Sequence, residues 1–290
     1  MKTRVPRQIK GLLSRRKPDT HKGDYGHVFV IAGSIGLTGA AALCSQAAIL
    51  SGSGLVTLGI PKSLNPIMAR KLTEVMTKPL PQTREQSLSY SALKEILRFA
   101  GKINCVAIGP GLSRNKSTQR LVRKLLTSLK KSIVLDADGI NALEGKVNLL
   151  KSAKAPIVIT PHPGEMSRLV SLSKNEIARN KQRIAKKFSN KYNVVCVLKG
   201  HRSVVAGPKG RAYINTTGNP GMASGGVGDI LTGMIASFIG QGLSPFNAAK
   251  LGVYLHGLAG DLAAKKKGEV SLIASDLLQV LPKSIRFVIT

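Results

Sequence analysis

Short apolar runs alternate with longer stretches of helical period along this chain, beginning at His27. The runs 27–33, 55–60, 104–109, 132–138, 156–160 and 193–199 are rich in β-branched residues, and Ile133-Val134-Leu135 is apolar on both faces. Helical spacing fills most gaps, over 39–51, 91–100, 118–129, 174–188, 229–239 and 246–264. Strands apolar on both sides need cover on both sides. The alternation therefore predicts an α/β fold of three layers, a mostly parallel central sheet with helices on both faces. The segments 203–206 and 212–215 flank Gly207-Pro208-Lys209-Gly210 and predict an antiparallel hairpin at one edge. Residues 1–22 are polar and basic without a clear period and read as a tail or a short first helix. No repeat or low-complexity linker divides 23–290, which reads as a single domain.

Composition narrows the class. A chain of 290 residues with 43% hydrophobic positions can bury a full core. Its apolar stretches fall short of the ~20 residues a membrane span needs, and the polar, basic N-terminus lacks the apolar core of a signal peptide, so the expectation is a cytoplasmic protein. Cys44, Cys105 and Cys196 are far apart in apolar surroundings and read as buried and reduced, and no Cys or His spacing resembles a zinc site. The net charge of +30 invites a nucleic-acid reading. The cations come in short clusters, however, and aromatics make up 4% with no Trp, which leaves little to stack on bases. The charge reads as a solvated basic surface, compatible with non-specific retention of RNA or DNA at low salt, and no dedicated nucleic-acid partner is expected.

The candidate chemistry sits at strand ends. In Asn219-Pro220-Gly221-Met222-Ala223-Ser224-Gly225-Gly226-Val227-Gly228-Asp229, glycines and one carboxylate abut an apolar helix. Gly225, Gly226 and Gly228 let successive N–H groups turn toward an anion at the positive end of that helix, and phosphate is the natural guest. Asp229 reads as a base or substrate anchor, with a helix cap as the plain alternative. Ala32-Gly33-Ser34, Gly109-Pro110-Gly111, Asp136-Ala137-Asp138, Pro161-His162-Pro163-Gly164-Glu165 and Lys199-Gly200 each follow a strand and should share one rim. Asp136 and Asp138 are open between contact with a metal, a ribose or a water and capping of a turn. The prolines around His162 favour ligand contact, and Glu165 is placed to assist magnesium through water. Lys199 is placed to neutralise a nucleotide phosphate. His256, on an apolar helix, reads as packed.

In combination these motifs resemble the ADP- or ATP-dependent NAD(P)H-hydrate dehydratases of the ribokinase-like superfamily, from His21-Lys22-Gly23-Asp24-Tyr25-Gly26 to His256-Gly257. The resemblance implies a ribokinase-like fold. It also implies repair of hydrated NADH or NADPH, the S epimer, by phosphorylation of the ring hydroxyl from ADP or ATP with Mg2+, followed by loss of phosphate. By carry-over, Asp229 is the catalytic base and a substrate contact, and Gly225, Gly226 and Gly228 form the anion hole. Ala40, Gly111 and His162 contact the hydrate, while Lys199, Gly200, His201, Arg202, Ser203 and Gly228 carry the nucleotide. Ser224, Val227 and Ser203 depart mildly from the family pattern, where Thr or a small hydroxyl residue is common. A homotetramer and a separate NAD(P)H-hydrate epimerase are the implied partners, the chain being too short to hold the epimerase domain fused in many bacteria. The alternatives are a hydroxyethylthiazole or hydroxymethylpyrimidine kinase of the same superfamily and, from another class, a basic nucleic-acid-binding protein.

Overall fold

The computed structural model describes residues 5–289, so the first four residues of the basic N-terminal stretch lie outside the described residues. The strands are β1 His27–Ile31, β2 Leu55–Pro61, β3 Met76–Leu80, β4 Cys105–Ile108, β5 Ser132–Leu135, β6 Ile157–Ile159, β7 Val195–Leu198, β8 Val204–Ala206 and β9 Ala212–Ile214. The helices are α1 Thr38–Leu50, α2 Asn65–Lys71, α3 Leu93–Ala100, α4 Lys116–Ser128, α5 Ala137–Asn141, α6 Pro163–Val170, α7 Lys174–Arg179, α8 Lys181–Tyr192, α9 Val227–Gly240, α10 Pro245–Lys267 and α11 Ala274–Arg286.

One sheet runs in the order β3-β2-β1-β4-β5-β6-β7-β8-β9. The first seven strands pair in parallel, while β7-β8 and β8-β9 are antiparallel, so the predicted α/β sheet with an edge hairpin is what forms. Side chains of period two divide β1 between two cores. Val28 and Val30 pack with α1, α9, α10 and α11, whereas Phe29 and Ile31 pack with α3, α4, α6, α7 and α8. The three cysteines are buried and unpaired, and burial pushes each thiol above its ordinary range.

Departures from the sequence reading have local causes. β3 escaped notice because Met76-Thr77-Lys78-Pro79-Leu80 is polar and carries a proline, both features of an edge strand, where one side of the ladder is unpaired. The third to sixth expected strands are therefore β4 to β7. The expected strands over 27–33, 132–138 and 193–199 stop earlier, at Ile31, Leu135 and Leu198, because the motif residues beyond them leave the ladder. The helix expected over 174–188 is two helices broken at Asn180, which has φ −123° and ψ 27°. Prolines concealed α6, where Pro163 occupies the first turn and needs no donor, and α11, which carries Pro282 internally. The described part of 1–22 is neither a loose tail nor a single helix: Ile9 is fully buried, and Val5, Leu12 and Leu13 pack on the same core. Arg16 fastens this segment, donating to the Gly52 carbonyl at 2.7 Å while its guanidinium lies 3.8 Å over the Tyr25 ring.

α1 and α9 cross on the sheet with their backbones in contact. A Cβ at Gly233 would overlap the Cys44 carbonyl oxygen and lie 3.1 Å from the Ala47 Cβ. This crossing fixes the height at which the N-terminus of α9 stands above the sheet. Gly233→Ala should force the helices apart and cost about 2 kcal/mol or more, read as a lowered urea midpoint at unchanged slope.

Candidate active site

Parallel strands deliver their carboxyl ends to one rim, and the strand order reverses between β1 and β4. The two loops meet there: the Gly33 N–H donates to the Pro110 carbonyl at 2.9 Å, and the Ser34 hydroxyl donates to the Gly111 carbonyl at 2.8 Å. Gly111, with φ +63°, lies so close to α1 that a Cβ on it would be 3.2 Å from the Ala40 Cβ. Ala40 and Gly111 thus form one small-residue corner.

Beside that corner, the ends of β5, β6 and β7, the turn before α9 and a side of α10 enclose a cleft of about 820 Å³. Asp229, Gly226, Gly228, His162, Glu165, Lys199, Gly200, His201, Arg202 and Ser203 all line it. Ala40, Gly111 and Gly225 do not, although Gly225 lies between the lining residues Ser224 and Gly226. Asp138 links the two regions: its carboxylate accepts the Ser113 N–H at 2.9 Å, two residues past Gly111, and its charge bears on Asp229.

The floor is a polar cluster around Asp136, which is 1% exposed. One oxygen accepts from Lys199 Nζ at 2.8 Å and the other from the Thr232 hydroxyl at 2.7 Å, so both are engaged and the open reading of Asp136 resolves to an anchor. Burial opposes the Lys199 charge, but Asp136 and Glu165 outweigh it and hold the ammonium above its ordinary pKa. A Cβ on Gly228 would sit 3.3 Å from Lys199 Nζ, which places that cation against the first turn of α9.

The turn itself has no side-chain cap. Gly226 takes the left-handed φ of +88°, and no hydrogen bond among the described residues occupies the N–H groups of Gly225, Gly226, Val227 or Gly228. Four successive free donors at the positive end of a 14-residue helix make an anion cradle. Asp229 accepts none of them, so it is not a cap. Burial first, then the negative charge of Asp136, pushes Asp229 up to about 7, with Lys199 pulling the other way. A carboxylate so placed titrates where a general base should.

His162 has a structural task that the sequence reading missed. Its Nδ1 accepts from the N–H groups of Gly164 at 3.0 Å and Glu165 at 3.3 Å, and Glu165 accepts the His162 N–H at 2.8 Å, closing a capping box on α6. The spacing of an acceptor and Glu three residues apart carried that signal. The ring remains half exposed at the cleft, and burial, Lys199 and Arg168 lower its pKa. Glu165, 4% exposed and raised in pKa by burial, has its other oxygen 3.4 Å from His162 Nε2. Among the described residues no cluster of three or more His, Cys, Asp or Glu is arranged to hold a metal.

His256 is packed, as expected, with Nε2 2.8 Å from the Val227 carbonyl; burial drives it down to about 4, so the neutral ring donates there. The contacts that hold the cleft's loop over 217–219 were invisible in the sequence because the partners are distant. Asp261 on α10 accepts from the Gly218 N–H at 3.0 Å and from Asn219 Nδ2 at 3.1 Å, and Thr217 donates to the Tyr254 carbonyl at 2.8 Å, which pins the loop before the glycine turn.

The family model described as NAD(P)H-hydrate dehydratase matches residues 28–283. This chain belongs to the NAD(P)H-hydrate dehydratase family. The bifunctional NAD(P)H-hydrate repair enzyme Nnr of Moorella thermoacetica is 47% identical over 274 residues, 94% of this chain and 52% of that protein. The chain thus spans about half the length of the first curated relatives it matches. The ADP-dependent (S)-NAD(P)H-hydrate dehydratase of Bacillus subtilis is 32% identical, with 95% of this chain and 94% of that one covered. A crystal structure of the ADP/ATP-dependent NAD(P)H-hydrate dehydratase from Bacillus subtilis, co-crystallized with ATP/Mg2+, superposes with TM-score 0.81 over 96% of each chain. The ribokinase-like fold of the family is the fold described above.

Two consequences of this geometry are measurable. Asp136→Ala should strand the Lys199 ammonium and cost about 3–5 kcal/mol, read by urea denaturation. Because the folded state keeps the Asp229 proton that the unfolded chain releases near its ordinary 3.8, stability falls as pH rises from there to about 7. Asp229→Asn removes this loss, so relative to the parent it should gain about 3 kcal/mol between pH 5 and pH 8.

Proposed function

We propose that this chain is an ADP- or ATP-dependent dehydratase of the S epimer of NAD(P)H hydrate, a hydro-lyase that repairs the reduced nicotinamide ring. The observation that carries the reading is the pairing of four free N–H groups at the start of α9 with a carboxylate titrating at about 7. Asp229 takes the proton from the ring hydroxyl as its oxygen attacks the terminal phosphorus of the nucleotide. The bond from that phosphorus to the bridging oxygen breaks, releasing AMP from ADP or ADP from ATP. Gly225, Gly226 and Gly228 hold the moving phosphoryl group, whose charge their N–H groups and Lys199 balance. Phosphate then leaves the ring carbon with loss of the neighbouring proton, restoring the double bond.

The nucleotide lies along Lys199, Gly200, His201, Arg202, Ser203 and Gly228. The hydrate reaches from Asp229 past His162 to the corner of Ala40 and Gly111. Magnesium bound to the nucleotide phosphates supplies further charge neutralisation. The reading extends to a cytoplasmic homotetramer working with a hydrate epimerase; relatives of about twice this length named as bifunctional support that last partner.

Addition of ADP or ATP with magnesium to hydrated NADH should raise the near-ultraviolet absorbance of the reduced ring, and the faster nucleotide identifies the donor. Turnover should climb with pH as Asp229 loses its proton around 7. Asp229→Asn should cost about 10²–10⁴ in turnover while leaving nucleotide binding in place. A phosphorylated alcohol accumulating from thiazole or pyrimidine alcohols, with no absorbance gain from the hydrate, would establish the kinase reading instead.

A further inference from the structure

The charge of +30 is distributed unevenly, and one face of the sheet carries a pattern that a merely solvated surface does not need. The crossovers from β4 to β5 and from β6 to β7 place α4 and α8 on the same side, and the segment Val147–Ser152 packs against both. α4 holds Lys116, Arg120, Arg123 and Lys124 and no carboxylate. α8 holds Lys181, Arg183, Lys186, Lys187 and Lys191, again with no carboxylate. On α4 the exposed cations Lys116, Arg120 and Lys124 follow one another at four-residue intervals. On α8 Arg183, Lys187 and Lys191 do the same. Each helix therefore presents a single-sign stripe about 12 Å long.

Four-residue spacing is where helices ordinarily alternate Glu with Lys, and like charges there destabilise the helix. None of these six side chains has an ion-pair partner within 4.0 Å among the described residues. Between the stripes the chain adds Lys146, Lys151 and Lys154. The face then runs into a recess of about 550 Å³ at the amino ends of β6 and β7, where Lys151, Lys154, Lys191 and Arg211 converge and no carboxylate lines the wall. The opposite face differs in being mixed in sign: α1 and α9 carry only Asp229, and on α10 and α11 the cations share the surface with Asp261 and Asp276, the latter paired with Lys267 at 2.9 Å.

We propose that the α4/α8 face is a binding surface for the phosphate backbone of double-stranded nucleic acid, engaged by charge without reading sequence. Stripes without ion-pair partners on two helices that flank the Val147–Ser152 segment fit a partner with regularly spaced negative charge, and the sparse aromatics favour backbone contact over base stacking. None of the six stripe residues lines the cleft, although α8 begins beside it, where Lys181 Nζ donates to the His201 carbonyl at 2.8 Å, so turnover is followed alongside occupancy.

The test uses the full chain and a fluorescent duplex of random sequence, with binding read by anisotropy from about 50 to 200 mM salt. A slope of log K against log salt near −5 is expected for the native chain, falling by roughly 1 for each phosphate-contacting cation removed. One variant carries Lys116, Arg120, Lys124, Arg183, Lys187 and Lys191→Gln. A second, of equal charge, carries Lys10, Lys17, Lys71, Lys265, Lys266 and Lys283→Gln. Loss of tenfold or more in affinity with the first and little with the second supports the assignment. Equal loss with both overturns it, as does duplex binding too weak to measure at the lowest salt. Tighter capture by vesicles of anionic lipid than by the duplex overturns it in favour of a membrane surface. Dehydration of the hydrate by the first variant, measured in parallel, should match the native chain. In the absence of duplex, that variant should also unfold at higher urea than the native chain at low salt, a gain that high salt abolishes.

Discussion

The site hangs on one buried ion pair. Asp136 leaves β5 where its carboxylate can reach Lys199 at the end of β7 and Thr232 on α9, so two strands and a helix are referred to a single point. A charge at 1% exposure is tolerable only when both oxygens are satisfied, and here each has one donor. The same pair has an electrostatic product. It holds a cation against the turn where an anion would sit, and its two charges act on Asp229 in opposite directions, Asp136 adding to the upward push of burial and Lys199 opposing it. Structural cost and chemical tuning are two aspects of one contact.

Around that point the helix termini complete the arrangement. α9 begins without a side-chain cap, which leaves its first N–H groups to solvent or ligand, whereas α6 next to it is closed by the His162 and Glu165 box. One terminus is sealed and the other is left receptive. The glycine contact between α1 and α9 allows the receptive terminus to sit low over the sheet, within reach of Lys199 and the loops after β4 and β5.

Much of this was legible in the residues. The apolar runs that became β1, β2 and β4 to β7 were plain because each is buried on both faces, and the glycine junction with Asp229 stood out because no ordinary turn needs that composition. What the sequence concealed was concealed for physical reasons. β3 is an edge strand whose side chains meet solvent, so it lacks the apolar signature. The first turn of α6 is written in prolines, which read as a turn until the capping partners are seen. Asp136 could not be separated from a turn residue because its partners lie 63 and 96 positions away. Ile9, a scattered apolar residue in a basic stretch like Val5, Leu12 and Leu13, showed nothing of its burial because the core it joins is formed by elements distant in sequence.

The polar edge that concealed β3 has a bearing on how the molecule behaves in company. A parallel sheet of this width ends in a row of unpaired amides and carbonyls, which is a template for strand addition by any extended chain nearby. At that margin the chain offers Pro79, which has no amide hydrogen to give, and beside it Lys78, whose ammonium is held by Glu95 at 2.6 Å. An approaching strand meets a missing donor and an ion pair that would have to be stripped of water. This margin of the sheet is thus guarded against strand addition without being curled into a barrel, and the device that guards it is the same polarity that kept the strand out of sight in the sequence.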